Sequence, residues 1–229
     1  MKSNKRLVKL LTFFMLFFCM NVWTNNPDEK SSNHFTIMGL GDSITQGGED
    51  AYLCSLNQML DSAGYSVEFI GPNVRTCNGL PLHHCGFSGK TIEFLEARID
   101  TIYRKYPADV VLLHAGHNHT YTEKPVTGMI AAYKSLICKI REINPDAKIF
   151  VAQVIPSGKL PKYSYIPELN REIAKMVRKQ NDKNVLLVDL SRNFDWKRYT
   201  HEDMVHPNHA GVEKMAGAWY AAIQKYFKN

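Results

Sequence analysis

Short apolar runs alternate along this chain with segments whose apolar side chains recur every three or four residues, and few folds accommodate that alternation. The runs are Phe35–Leu40, Val67–Ile70, Asp109–His114, Lys148–Val154 and Asn184–Asp189. They are rich in Val, Ile, Leu and Phe, and the third and fifth show little polar alternation, as strands covered on both faces do. Between them, Ile92, Leu95, Ile99 and Ile102 follow helical spacing, as do Met129, Ile130, Tyr133, Leu136, Ile137, Ile140 and Ile143. Leu169, Ile173, Met176 and Val177 repeat it, and Val212, Met215, Ala216, Trp219 and Ile223 end the chain with it. These stripes are core faces. The alternation predicts an α/β fold: a three-layer α/β/α sandwich around a five-stranded parallel sheet, doubly wound in the order 2-1-3-4-5. Ligands bind beyond the carboxyl ends of such strands, so a site should draw residues from several of the loops that follow them.

The chain has 229 residues, 45% of them hydrophobic, enough to bury one sizeable core. A single domain is expected over 34–229, preceded by an export signal or N-terminal anchor over 1–24 and a linker over 25–33. In the first segment Lys2, Lys5, Arg6 and Lys9 precede an apolar run that starts at Leu10 and continues to about Val22. That run is shorter than the roughly 20 residues of a bilayer span. No small-x-small cleavage site follows, which leaves a retained anchor open, and bulky Phe18 stands where a lipidated Cys19 would follow a small residue. An exported location is expected, whether periplasmic, cell-surface or secreted, with membrane contact only through an uncleaved N-terminal segment. The net charge is +6, but those four N-terminal residues supply part of it; the other basic residues nearly balance 22 acidic ones. No basic stripe of the kind that binds nucleic acid is present, so no nucleic-acid partner is expected. Apart from Cys19, four cysteines remain. Cys77 and Cys85 bracket a loop-like segment rich in Gly, Pro and His and are the expected disulfide, while Cys54 and Cys138, at apolar helical positions, are expected as buried free thiols.

Four short blocks carry chemistry. Gly41-Asp42-Ser43 follows the first strand and precedes a helical stretch. A serine on that turn is exposed and faces backbone N–H groups, although small polar residues also make ordinary turns. Gly86-Phe87-Ser88-Gly89 follows the second strand, where glycines allow close backbone approach and the Gly89 N–H is an unpaired donor before a helix, or simply part of a turn and cap. His114-Ala115-Gly116-His117-Asn118-His119 follows the third strand. Asn118 offers a neutral amide donor. Three histidines there raise the question of zinc, but no carboxylate or cysteine lies within the cluster, so no metal is expected. After the fifth strand, Asp203 and His206 stand three apart in a loop fixed by Pro207, close enough for the carboxylate to orient the imidazole or to form a surface salt bridge.

These blocks, in this order, resemble the SGNH or GDSL-type hydrolase superfamily of esterases and lipases, and the resemblance spans essentially the whole chain after the N-terminal segment. It implies a catalytic triad of Ser43, His206 and Asp203, with an oxyanion hole made by the Ser43 N–H, the Gly89 N–H and the Asn118 amide. Asp42, His114 and His117 are the expected substrate contacts, and no cofactor is implied. One position departs from the pattern: His119 stands where the third block usually carries an aspartate, which questions how that loop is fixed. Gly-Asp-Ser-Ile-Thr and the His-containing second block look like the carbohydrate-esterase branch, whose members remove acetyl groups from polysaccharides such as xylan. An acetylated polysaccharide or oligosaccharide is therefore the expected substrate. Val74–Gly79 is a possible sugar contact, or only a stapled loop. Tyr121, Tyr163, Tyr165 and Trp196 lie where aromatic sugar platforms can sit, packing being the other reading of each. The alternatives are a lysophospholipase or acyl-thioesterase on the same scaffold, and an inactive carbohydrate-binding protein.

Overall fold

The computed structural model describes residues 34–48 and 50–227, so the expected export segment and linker lie outside the described residues. In chain order the elements are β1 (His34–Gly41), α1 (Ser43–Gln46), α2 (Tyr52–Ser62), β2 (Ser66–Phe69), β3 (Asn73–Cys77) and β4 (Leu80–Gly86). There follow α3 (Ile92–Glu96), α4 (Ile99–Lys105), β5 (Val110–His114), a 3-10 turn (Tyr121–Glu123), α5 (Val126–Ile143) and β6 (Lys148–Gln153). The chain ends with α6 (Ile166–Gln180), β7 (Val185–Asp189), α7 (Trp196–Tyr199) and α8 (His209–Phe227).

All five expected strands are present, and their order, β2-β1-β5-β6-β7, is the doubly wound one. Each of these pairings is parallel. The sheet nevertheless has seven strands. The stretch expected as a polar loop is the hairpin β3–β4, whose antiparallel pairing runs from Asn73↔His84 to Cys77↔Leu80. Its two-residue turn is Asn78-Gly79, with φ of +51° and +80°. Asn-Gly is the strongest short signal for such a turn, because both residues tolerate the left-handed region. β2 and β4 share one edge of β1: β2 pairs with His34–Ile37, and β4 takes over at Leu40 and Gly41.

Side chains leave β1 and β5 alternately to the two faces, as strand geometry requires. Ile37, Val110 and Leu112 join a core with Tyr52, Leu56, Val212 and Trp219 from α2 and α8. Met38, Leu40, Val111 and Leu113 join another with Ile92, Tyr133, Leu136 and Ile173 from α3, α5 and α6. The three layers follow from these two cores. Burial of each such side chain contributes about 1.5–3 kcal/mol, which is why the central strands tolerate so little polarity.

The disulfide differs from the expected one. Cys54 on α2 is bonded to Cys77, with Cα atoms 5.5 Å apart. Cys77 sits beside the hairpin turn, whereas Cys85 lies near the far end of β4, where it pairs with Leu40. At about 3.4 Å per residue the two cysteines are far out of register. Cys85 is buried and free, and Cys138 is free but exposed rather than buried. The bond closes a separation of 23 residues. Replacing Cys54 and Cys77 together by serine is expected to lower the unfolding free energy by about 3 kcal/mol, measured by urea denaturation.

Candidate active site

The geometry begins at Gly41. This residue pairs with Gly86 on β4 and with His114 on β5. The loops carrying Ser43, Gly89 and Asn118 therefore issue from one level of the sheet rim. Gly41 has no room for a side chain: a Cβ would lie 2.2 Å from the His114 carbonyl oxygen and from Thr45 Oγ1. Just beyond it, Asp42 caps α1 by accepting a hydrogen bond from the Ile44 N–H at 3.0 Å. Ser43 is the first residue of that turn and is half-buried.

The next loop is built on the first. The Phe87 N–H donates to the Gly41 carbonyl at 3.0 Å, and the Ser88 N–H donates to Gln46 Oε1 at 2.8 Å. The Lys90 N–H closes a turn on Phe87 O at 3.2 Å with Gly89 at φ +71°, the left-handed third position that suits glycine. Asn118, at φ +73°, donates one amide hydrogen to the Lys90 carbonyl at 3.0 Å. Its second amide hydrogen remains for another acceptor.

His206 comes from the far edge of the sheet. A bridge between Thr200 and Pro207 pinches off the loop that bears it. Met204, at φ +60°, turns its carbonyl toward the loop after β6, where Ser157 Oγ donates at 2.7 Å and the Gly158 N–H at 3.0 Å. This anchoring brings His206 Nε2 to 2.8 Å from Ser43 Oγ, across 163 residues of chain. His206 Nδ1 bonds Asp203 Oδ2, and Asp203 Oδ1 accepts from the Val205 and His206 N–H groups at 2.9 and 3.0 Å. Burial pushes the Asp203 carboxyl up, but the bonds from the His206 imidazole and the two amides outweigh it and hold it below the usual carboxylate range. His206 and Asp203 remain 44% and 42% exposed, so solvent and ligand reach them. His201 is exposed in the same loop, and His209 faces Asp50 at 3.3 Å.

The other expected contacts lie elsewhere. Asp42, His114 and His117 are 0, 0 and 1% exposed and cannot touch a substrate. They sit at the ends of the two central strands, where neighbouring loops roof them over. Burial drives the imidazoles of His114 and His117 down to about 4 and about 3. His117 is thus neutral, and its 3.9 Å approach to Asp42 is not an ion pair. Tyr163 and Tyr165 are buried as well, Tyr163 packing edge-on against His117, which leaves Tyr121 exposed and Trp196 half-buried over Gly158. Of the three histidines at the end of β5 and after it, His114 and His117 stay together with ring centroids 6.2 Å apart, while His119 points away to Glu93 and Glu123. No sequence signal marks that pairing or the Met204 anchor, since one links distant segments and the other uses main chain. A cleft of about 660 Å³ opens beside α1, with Gln46, Gly47, Asn73, Arg75, Ser88 and Lys90 in its wall.

This arrangement matches known proteins in form. A family model of the GDSL-like lipase/acylhydrolase family matches residues 40–214. No curated protein matches the chain in sequence. Among solved structures, a carbohydrate esterase of family 3 from Talaromyces cellulolyticus is 26% identical with a TM-score of 0.76, over 85% of this chain and 99% of that one. A family 3 carbohydrate esterase from Clostridium thermocellum is 28% identical with a TM-score of 0.75, over 85% and 98%. A possible lipase from Chitinophaga pinensis, 17% identical with a TM-score of 0.64 over 85% and 100%, shares the fold. The chain belongs to the GDSL-like lipase/acylhydrolase family and is a carboxylic ester hydrolase.

Proposed function

We propose that this protein is an exported serine esterase that removes acetyl groups from an acetylated polysaccharide or oligosaccharide. The observation that carries the mechanism is the unbroken line of contacts from Ser43 Oγ to His206 Nε2 at 2.8 Å and from His206 Nδ1 to Asp203. A serine hydroxyl becomes a useful nucleophile only when a base takes its proton. Ser43 Oγ attacks the ester carbonyl carbon as its proton passes to His206 Nε2. Asp203 keeps the other nitrogen protonated and stabilises the imidazolium. The carbonyl oxygen becomes an oxyanion facing the Ser43 N–H, the Gly89 N–H and the free amide hydrogen of Asn118. Collapse expels the sugar alkoxide, which takes the proton from His206. Water then attacks the acetyl-enzyme, giving its proton to His206, and acetate leaves as Ser43 recovers its hydrogen. Every step uses groups the chain supplies.

The acetyl-sugar assignment draws support from the two carbohydrate esterases above; the cleft beside α1 mixes polar Asn73, Ser88 and Lys90 with apolar Pro72, Val74 and Phe87. Export is supported by the Cys54–Cys77 disulfide, a bond that persists in oxidising compartments. The basic and apolar N-terminal segment is consistent with it.

Ser43→Ala is expected to abolish acetate release from a small acetyl ester while the thermal midpoint stays near that of the wild type; retained turnover removes the serine mechanism. Against a series of p-nitrophenyl esters, acetate should be preferred to octanoate, and the reverse order assigns the chain to the lipid or thioester reading instead. Failure of an organophosphonate to label Ser43 points to a silent binding protein. Asn118→Ala should lower kcat by about 100- to 1000-fold, the usual cost of one oxyanion donor, with little change in KM.

A further inference from the structure

The Gly89 and Asn118 loops are separate pieces of chain, and His119 ties them together. Its Nε2 lies 2.9 Å from Glu93 Oε2 on α3, the helix that begins directly after the Gly89 turn. Its Nδ1 lies 2.8 Å from Glu123 Oε2 in the 3-10 turn. Glu123 is itself held by Thr120 Oγ1 at 2.9 Å. With the bond from Asn118 to the Lys90 carbonyl, two rungs join the loops, one on each side of the Asn118–His119 peptide.

The inner rung needs a charge. An imidazole with a carboxylate against each nitrogen must donate twice, and only the imidazolium has two N–H groups. Loss of one proton turns a lone pair toward a carboxylate. The His119 side chain is 16% exposed, so water screens that conflict poorly. The hydrogen bond that His119 donates to Glu93 is the main influence raising the His119 pKa above its ordinary value; burial opposes it, and Glu123 adds to it. Burial pushes the Glu93 carboxyl up, but the His119 bond and other hydrogen bonds leave it lowered, and His119 is likewise the main cause lowering Glu123. The charged groups facing His119 are thus Glu93 from α3 and Glu123 from the 3-10 turn. From the start of α6 comes the phenol of Tyr165, bonded to the Gly116 carbonyl at 2.9 Å. An aspartate at 119 would set three carboxylates against one another, so the histidine and the two glutamates form a matched set.

We propose that His119 is a positioning residue: as an imidazolium clamped between Glu93 and Glu123 it sets the spacing between the Asn118 amide and the Gly89 N–H, and its deprotonation as pH rises slows turnover. This rests on the reading of Asn118 and Gly89 as oxyanion donors. The sign follows from the raised pKa. The clamp is complete below the ordinary imidazole range and is lost as pH rises through the elevated value. Turnover falls where His119 loses its proton.

The test uses the full chain and a small acetyl ester. His119→Gln should lower kcat about tenfold, less than the roughly 100-fold or more that outright loss of an oxyanion donor costs. KM should stay nearly unchanged, and the fall in kcat with rising pH should disappear. Glu93→Gln combined with Glu123→Gln should move the wild-type fall to lower pH. Independently, in Ser43→Ala protein the NMR resonances of the Asn118 side-chain amide should shift along the titration curve of the His119 imidazole. Wild-type kcat and pH profile in His119→Gln, or a loss expressed in KM, overturns the proposal. So does an Asn118 resonance that ignores the His119 titration. That NMR arm needs no turnover, so it still decides the matter if Ser43 proves not to be the nucleophile or if His119→Gln fails to fold.

Discussion

The level alignment of three parallel strand ends, Gly86 on β4, Gly41 on β1 and His114 on β5, is the constraint on which the site depends. Parallel pairing sends all three following loops off one rim, so residues far apart in sequence start from neighbouring positions without any loop having to reach. Close contact then refines the placement. The absence of a side chain at Gly41 lets the serine turn settle against β5, and the Gly41 carbonyl holds the next loop through Phe87. Only the imidazole must travel, because β7 lies at the far edge of the sheet. It is brought in by main chain: the Met204 carbonyl, aimed by a left-handed φ, takes two hydrogen bonds from the loop after β6. Such fixing matters chemically, since an error of about 1 Å in a reacting group costs on the order of 100-fold in rate.

Much of this was legible in the residues and some was not, for physical reasons that can be named. Val110–Leu113 and Ile149–Val151 read as strands because a strand buried on both faces must be apolar throughout. The hairpin escaped notice because Asn73, Arg75 and Thr76 give an edge strand a loop's composition, and only Asn78-Gly79 betrayed the turn. The four blocks were legible because their residue types stand in a fixed order along the stretch that the family model matches. Depth was not: nothing in the letters of Asp42, His114 and His117 says that loops will cover them. The disulfide was not legible, because proximity in sequence around a turn does not give register, and register decides which sulfur atoms meet.

Environment sorts otherwise identical side chains into different jobs here. His84, His114 and His117 are buried, and burial is the largest cause lowering all three, to about 4, about 4 and about 3. They serve as neutral packing groups under and beside the rim. His206 is left 44% exposed with one carboxylate, an arrangement that frees Nε2 for the serine. His119 has a carboxylate on each nitrogen, and these favour its charged form. Solvent access and the number of carboxylate partners separate these roles.

Strand β3 divides its labour by parity. Asn73 bonds the Gly86 carbonyl at 2.8 Å, Arg75 bonds the carbonyls of Gln46 and Gly48 at 2.7 and 2.9 Å, and Cys77 is joined to α2. Val74 and Thr76, between them, point outward and are exposed. Odd positions of β3 rivet the hairpin to the body, and its even positions face solvent. Side chains at those two positions can therefore change without loosening a single fastening near the serine.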